Sequence, residues 1–164
     1  MAFKDLIIEK IKKQFEKSIE EVKEFRGDLS ITIAKDKIVE LARFLRDDDE
    51  LCFETCLDVT AIDWATRKNR FTVVYHVYSF KNNFTLRIKA NIDGEPPQIE
   101  TVSSIWPGAN WYERETYDMY GIVFLNHPDL RRMYMPEGFE YYPLRKDFPL
   151  LGIPGSLPLP DKLE

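Results

Sequence analysis

The sequence predicts an α+β fold: a two-layer arrangement in which a mixed β-sheet is covered by helices, followed by an extended proline-rich arm. Three observations predict it. The N-terminal third carries two segments with apolar side chains at helical spacing. The middle is dominated by two runs rich in β-branched and aromatic residues, RFTVVYHVYSF and NFTLRIKANI, which are joined by Lys81, Asn82 and Asn83. Seven of the ten prolines lie from Pro128 onward, so regular structure has to end near there. Helices, then strands, then helix again give layered α+β packing.

The elements follow in order. From Phe3 to about Lys17, Ile7, Ile8, Ile11 and Phe15 recur on one side with lysines and glutamates on the other, which predicts a surface helix. In EVKEFRGDLSITIA, Gly27 can supply a positive φ, and Leu29, Ile31 and Ile33 alternate with polar residues, which predicts a hairpin. Asp36 is placed to cap a second helix reaching about Arg46, with Ile38, Leu41, Ala42 and Leu45 as its stripe. The acidic run Asp47 to Glu50 opposes the helix dipole and helps to end it. LCFETCLDVTAIDW reads either as a short helix running into a strand or as one long buried strand. Cys52 and Cys56 are then two small thiols packed as hydrophobes. His76 sits inside the first strand of the clearest hairpin, as a hydrogen-bonded sheet residue. QIETVSS is strand-like, and the chain up to about Ser104 reads as scaffold.

Composition excludes several function classes. With 164 residues, the chain fits one ordinary domain with a tail. A net charge of -5 opposes binding to a phosphate backbone, so no nucleic-acid partner is expected. No apolar run approaches the roughly 20 residues of a membrane helix. The charged N-terminus is unlike a secretory h-region, and the two cysteines read as reduced thiols in a cytosolic compartment. Two cysteines and two distant histidines do not make up the ligand set of a zinc site or an iron–sulfur cluster.

Chemistry-bearing residues concentrate between Trp106 and Phe148. Asn110 is a suitable cap for a helix from Trp111 to about Tyr120. A helical wheel gathers Trp111, Tyr112, Met119 and Tyr120 on an apolar side and sets Arg114 and Asp118 opposite, at i and i+4. Glu115 projects between Trp111 and Met119 and is expected to be buried against Arg131, Arg132 or a partner's arginine. Gly121 ends the helix, and an extended run follows. Asn126 suits a left-handed conformation, and Pro128 predicts a tight helical turn over Asp129 to Arg132 that presents Arg131 and Arg132 together. Those arginines form an anion site or serve as the partners of Glu113 and Glu115. His127 reads as a turn histidine, since no activated nucleophile stands nearby. Glu113 and Glu115 diverge around the helix and cannot flank one bond, and there is no glycine-rich phosphate loop.

The run FPLLGIPGSLPLP, from Phe148 to Pro160, carries no charge. Its prolines bar helix and central strand, while its leucines and Ile153 oppose exposure to water. It reads as an extended arm laid on another protein or on its own domain. The division is a domain over residues 1–142 and an interaction arm over 143–164.

The stretch ANWYERETYDMYGIVFLNHPDLRRMYMPEGFEYYPLRKDFPL resembles the signature of the C subunit of respiratory complex I, proton-pumping NADH:quinone oxidoreductase. A related domain occurs in membrane-bound energy-converting hydrogenases. DVTAID followed by RFTVVYH agrees less specifically. The resemblance implies a peripheral-arm subunit without a redox centre, functioning in electron transfer from NADH to quinone. The FMN, iron–sulfur clusters and quinone would be held by partner subunits. It further implies packing against the hydrogenase-large-subunit-like quinone-site subunit, at the cytoplasmic face of the inner membrane. Carried over position by position, it marks Glu113, Arg114, Glu115, Asp118, Gly121, His127, Pro128, Arg131, Arg132, Arg145, Lys146 and Asp147 as structural and interfacial. Asn126 stands where the family usually has glycine, and Tyr142 where it usually has histidine. The alternatives are the equivalent hydrogenase subunit and an independent enzyme using the Glu/Arg cluster.

Overall fold

The computed structural model describes residues 2–65, 68–149 and 153. Helix α1 (Phe3–Phe15) precedes the hairpin β1 (Ile19–Phe25) and β2 (Asp28–Ile33). Helix α2 (Ile38–Asp47) leads to β3 (Thr55–Asp63), and β4 (Phe71–Ser79) and β5 (Phe84–Ile92) form the long hairpin. Short β6 (Gln98–Glu100), helix α3 (Ala109–Tyr120) and short β7 (Val123–Leu125) complete the described elements.

The main sheet has the order β1-β2-β5-β4-β3. Every pairing is antiparallel except β2 with β5, so the sheet is mixed, as predicted. The α+β expectation is met in both layers. Ile7, Ile11 and Phe15 of α1 and Ile38, Leu41, Ala42 and Leu45 of α2 are buried with Ile31, Val73, Tyr75, Val77, Leu86 and Ile88 of the strands. The hairpin turns fall where local chemistry places them: Arg26 and Gly27 have φ of 51° and 96°, and Asn83 has φ of 47°.

Several expectations are corrected. Asp36 does not cap α2; it lies in a 3-10 turn, Lys35–Lys37, and the helix starts without a side-chain cap. LCFE, residues 51–54, is neither helix nor strand, because Cys52 takes a left-handed φ of 44° and β3 begins only at Thr55. Cys56 is buried, but Cys52 is half-buried, with its thiol donating to the Asp49 carbonyl at 3.1 Å. His76 does act as a sheet residue, accepting from Arg87 Nε at 2.9 Å. A second, parallel two-stranded sheet, β6 with β7, was not foreseen. Asp129 to Arg132 form no helical turn; the chain runs irregularly after Asn126, whose φ is 61°. Most of the arm over 143–164, namely residues 150–152 and 154–164, lies outside the described residues.

Candidate functional site

Helix α3 begins at Ala109, one residue before the expected cap Asn110, and the side expected to be polar turns inward. Ala109, Glu113, Arg114, Thr116 and Asp118 are buried, Tyr112 and Tyr120 of the expected apolar side are half-buried against the core, and Trp111 is 59% exposed. The reason lies in what surrounds the helix. Irregular segments and strand edges pack against it, and their backbone polar groups need partners when water is excluded. Polar side chains on the inner face supply them.

Glu113 is fully buried. Its Oε1 accepts from the Val102 N–H at 2.8 Å and its Oε2 from the Thr101 hydroxyl, which also contacts Ser103 Oγ at 2.8 Å. Burial pushes this carboxyl up to about 7, and the two donors only partly counter it. His127 Nε2 lies 3.8 Å away. The ring is neutral: Nδ1 accepts from the Asp129 N–H at 3.0 Å, so Nε2–H donates to the Asn110 carbonyl at 3.2 Å. Burial, reinforced by Arg114, holds the His127 pKa down. Glu113 and His127 are therefore not an ion pair at neutral pH.

One turn along, Thr116 donates to the Val59 carbonyl at 2.8 Å and satisfies the outer edge of β3. Asp118 Oδ2 then gathers three successive backbone N–H groups, from Met133, Tyr134 and Met135, at 3.0, 2.7 and 3.0 Å. Its Oδ1 accepts from Arg132 Nη1 at 2.7 Å. Burial opposes the charge on Asp118, but these four donors outweigh it and hold the pKa below the ordinary carboxylate value.

The remaining signature residues divide between inner and outer roles. Arg114 Nε donates to the Arg131 carbonyl at 3.3 Å, and its guanidinium stacks 4.9 Å from the Trp111 ring. Gly121 closes the helix at φ 73°, with Tyr142 and Arg145 packed where a Cβ would stand. Arg145 Nε donates to the Tyr120 carbonyl at 2.6 Å, and its plane lies 4.4 Å from the Tyr142 ring. Lys146 contributes its backbone N–H to Asp63 at 2.7 Å, while Asp147 meets Arg70 at 2.9 Å. Pro128 is exposed in a turn.

Three expectations fail here. Glu115 is not buried against Arg131 or Arg132; it is exposed, without an ion pair among the described residues, because its side of α3 faces away from the sheet. Arg131 and Arg132 are neither a joint anion site nor the partners of Glu113 and Glu115. Arg131, 73% exposed, pairs with Asp129, whereas Arg132 turns inward to Asp118.

Sequence reasoning passed over Asp63, Arg70, Thr101 and Thr116. Asp63 takes two hydrogen bonds from Arg70, both at 2.9 Å, and one from the Ala65 N–H at 2.8 Å, and its pKa falls to about 2, chiefly through Arg70. An acid at a core-facing strand position in DVTAID was its one available signal. Cys56 is a protonated core thiol unsuited to nucleophilic work, since burial pushes it up to about 12. Among the described residues, no group of three or more His, Cys, Asp or Glu side chains is placed to hold a metal ion.

Residues 31–153, from β2 through the signature stretch, match the sequence profile of the respiratory-chain NADH dehydrogenase 30 kDa subunit family. The chain belongs to this family. It is 45% identical over 153 residues to the C subunit of NADH-quinone oxidoreductase from Geobacter sulfurreducens, covering 93% of each chain. It is 44% identical to the Geobacter metallireducens protein of the same name, across 99% of both. Among solved structures, it resembles a chain of the membrane-bound sulfane sulfur reductase, an archaeal respiratory membrane complex. That likeness has a TM-score of 0.77 and 26% identity, with 92% of this chain and 88% of that one covered. It also resembles the trypsin-resistant fragment of Nqo5, with a TM-score of 0.63 and 28% identity, over 79% of this chain and all of the fragment. The 30 kDa subunit family is the one the signature stretch points to. No helix among the described residues is long and apolar enough to cross a membrane.

Proposed function

We propose that this chain is a peripheral-arm subunit of proton-translocating NADH:quinone oxidoreductase that holds partner subunits in position and carries no redox cofactor itself. Electrons pass from NADH to quinone through FMN and iron–sulfur clusters in the partners. Its principal contact is the hydrogenase-large-subunit-like subunit at the quinone site, and its place is the cytoplasmic face of the inner membrane. Near-full-length similarity to proteins named as the C subunit of NADH-quinone oxidoreductase supports the complex. The observation that carries the non-catalytic role is the use made of the charged signature. Glu113, Asp118, Arg132 and Arg145 are committed to internal hydrogen bonds, while Glu113 and Glu115 occupy opposite sides of α3. Turned outward instead are Trp111, Arg131, Tyr134 and Tyr141, residue types that anchor protein interfaces.

The test is affinity capture of the tagged chain from solubilised membranes, together with spectroscopy of the purified chain alone. The expected outcome is recovery of a flavin-containing, NADH-oxidising assembly, with no NADH oxidation and no visible chromophore in the isolated chain. A flavin or cluster bound stoichiometrically to the isolated chain would sink the scaffold reading. The likeness to a chain of another respiratory membrane complex favours one second reading, the same module within a different membrane-bound assembly, such as the energy-converting hydrogenase that the signature stretch also resembles. Capture of a nickel–iron partner instead of an NADH-oxidising one would establish that context.

A further inference from the structure

Among the described residues, one polar group of the core is left unexplained by the packing described so far. Tyr75, in the middle of β4, is fully buried, and its hydroxyl has no hydrogen-bond partner among the described residues. A buried donor left unmade costs about 1–3 kcal/mol, so such groups are normally satisfied by protein or by ordered water.

Strand register shows what the hydroxyl faces. Val59 pairs with Tyr75 and Cys56 with Val77, so all four side chains lie on the same, helix-covered side of the sheet. Helix α3 packs on β3 at this level, with Thr116 bonded to the Val59 carbonyl, and Glu113 stands one turn earlier on the same inner face. The Glu113 carboxyl and the Cys56 thiol are close enough to act electrostatically on the Tyr75 hydroxyl. Burial first, then Glu113 and Cys56, drive its pKa upward. Glu113 retains capacity as an acceptor: each of its oxygens takes one strong hydrogen bond, and a carboxyl offers about four lone-pair sites. A buried water needs two to four polar partners, and the Tyr75 hydroxyl offers a donor and the Glu113 carboxyl an acceptor, both buried between the sheet and α3.

We propose that the Tyr75 hydroxyl and the Glu113 carboxyl together form an internal binding site for an ordered water molecule, bridging β4 to α3. The water accepts from or donates to Tyr75 Oη and donates to a Glu113 oxygen. It makes Glu113 a hydrated buried acid rather than a dry one.

Crystal structures of the full-length chain, wild type and Tyr75→Phe, at a resolution that shows ordered water would test the site. Oxygen-17 magnetic relaxation dispersion, which counts long-lived internal waters in solution, would accompany them. The expected result is density within hydrogen-bonding distance of both Tyr75 Oη and Glu113 in the wild type, and the loss of a single long-lived water in the variant. A wild-type hydroxyl bonded directly to a protein group, or an unchanged count in Tyr75→Phe, would overturn the proposal. If Tyr75→Phe does not fold, the wild-type density and the dispersion amplitude of Glu113→Gln decide the matter. Retention of the water with weakened order is expected in the latter, and absence of any density in the wild type refutes the site.

Discussion

Asp118 and Arg132 are joined at 2.7 Å across the last turn of α3, with the aspartate fully buried and the arginine side chain 15% exposed. The pair is the anchor of a larger device, because the other Asp118 oxygen takes three consecutive backbone N–H groups from residues 133–135. An irregular stretch is thereby fastened to a helix without secondary structure of its own. Asp118→Ala would strand all of these donors and leave Arg132 unpaired. It is expected to lower stability by about 3–5 kcal/mol, with protease sensitivity appearing first between Arg131 and Tyr142. Urea unfolding and limited proteolysis check this; a loss under about 1 kcal/mol would contradict the anchor.

Gly121 meets two demands together. Its φ of 73° is left-handed, and a Cβ there would lie 2.5 Å from Tyr142 Cζ and 2.6 Å from Arg145 Nη2. Gly121→Ala therefore combines backbone strain with displacement of the segment around Arg145, and is expected to cost more than about 1 kcal/mol. Gly138, also left-handed but with open space around its Cβ position, is the control: Gly138→Ala carries the strain alone. Equal losses in the two variants, measured by thermal unfolding, would show that the packing on Gly121 adds nothing.

Glu113 predicts an unusual dependence of stability on pH. Its folded pKa, about 7, is raised above the ordinary value of 4.5, so the folded chain holds the proton more tightly than the unfolded chain. The contribution is complete below about 4.5 and is lost as pH rises toward 7. Asp63 acts with the opposite sign: its folded pKa of about 2 stabilises the fold above the ordinary 3.8, and that stability is lost as pH falls toward 2. Glu113→Gln, which keeps a neutral acceptor, is expected to flatten the decline between pH 4.5 and 7 while leaving the acid limb intact. His76 and His127, whose pKa values burial holds down, add stability as pH rises through the same range, so the sign is read from the difference in unfolding free energy between wild type and Glu113→Gln; a difference that grows in favour of the wild type with rising pH would refute it.

Trp111 separates stability from association. At 59% exposure it contributes little beyond its stacking with Arg114, so Trp111→Ala is expected to change folding stability by less than about 1 kcal/mol. If its side of α3 is covered by a partner subunit, the same substitution should weaken assembly by at least about tenfold, as loss of an aromatic anchor does. Co-purification yields and binding measured with the captured partner provide the comparison. Unchanged assembly would remove Trp111 from the interface.

Much of the fold was legible because local periodicity and burial agree in it. The stripes of α1 and α2, the β4–β5 hairpin, the Gly121 stop and the left-handed Asn126 all arise from interactions within a few residues. The signature stretch was also enough to point to the family to which the chain belongs. What the sequence could not determine was the orientation of α3. Hydrophobicity places Trp111 inside and Arg114 and Asp118 outside, whereas the helix lies against loops and a strand edge whose N–H and C=O groups require polar partners. The same tertiary demand separated Arg131 from Arg132, left Glu115 in solvent and brought Asp63 beneath Lys146, 83 residues away in the chain. Apolar burial follows a period that can be read along one segment. Satisfying a buried backbone donor depends on which distant segment happens to arrive beside it, and only the folded structure decides that.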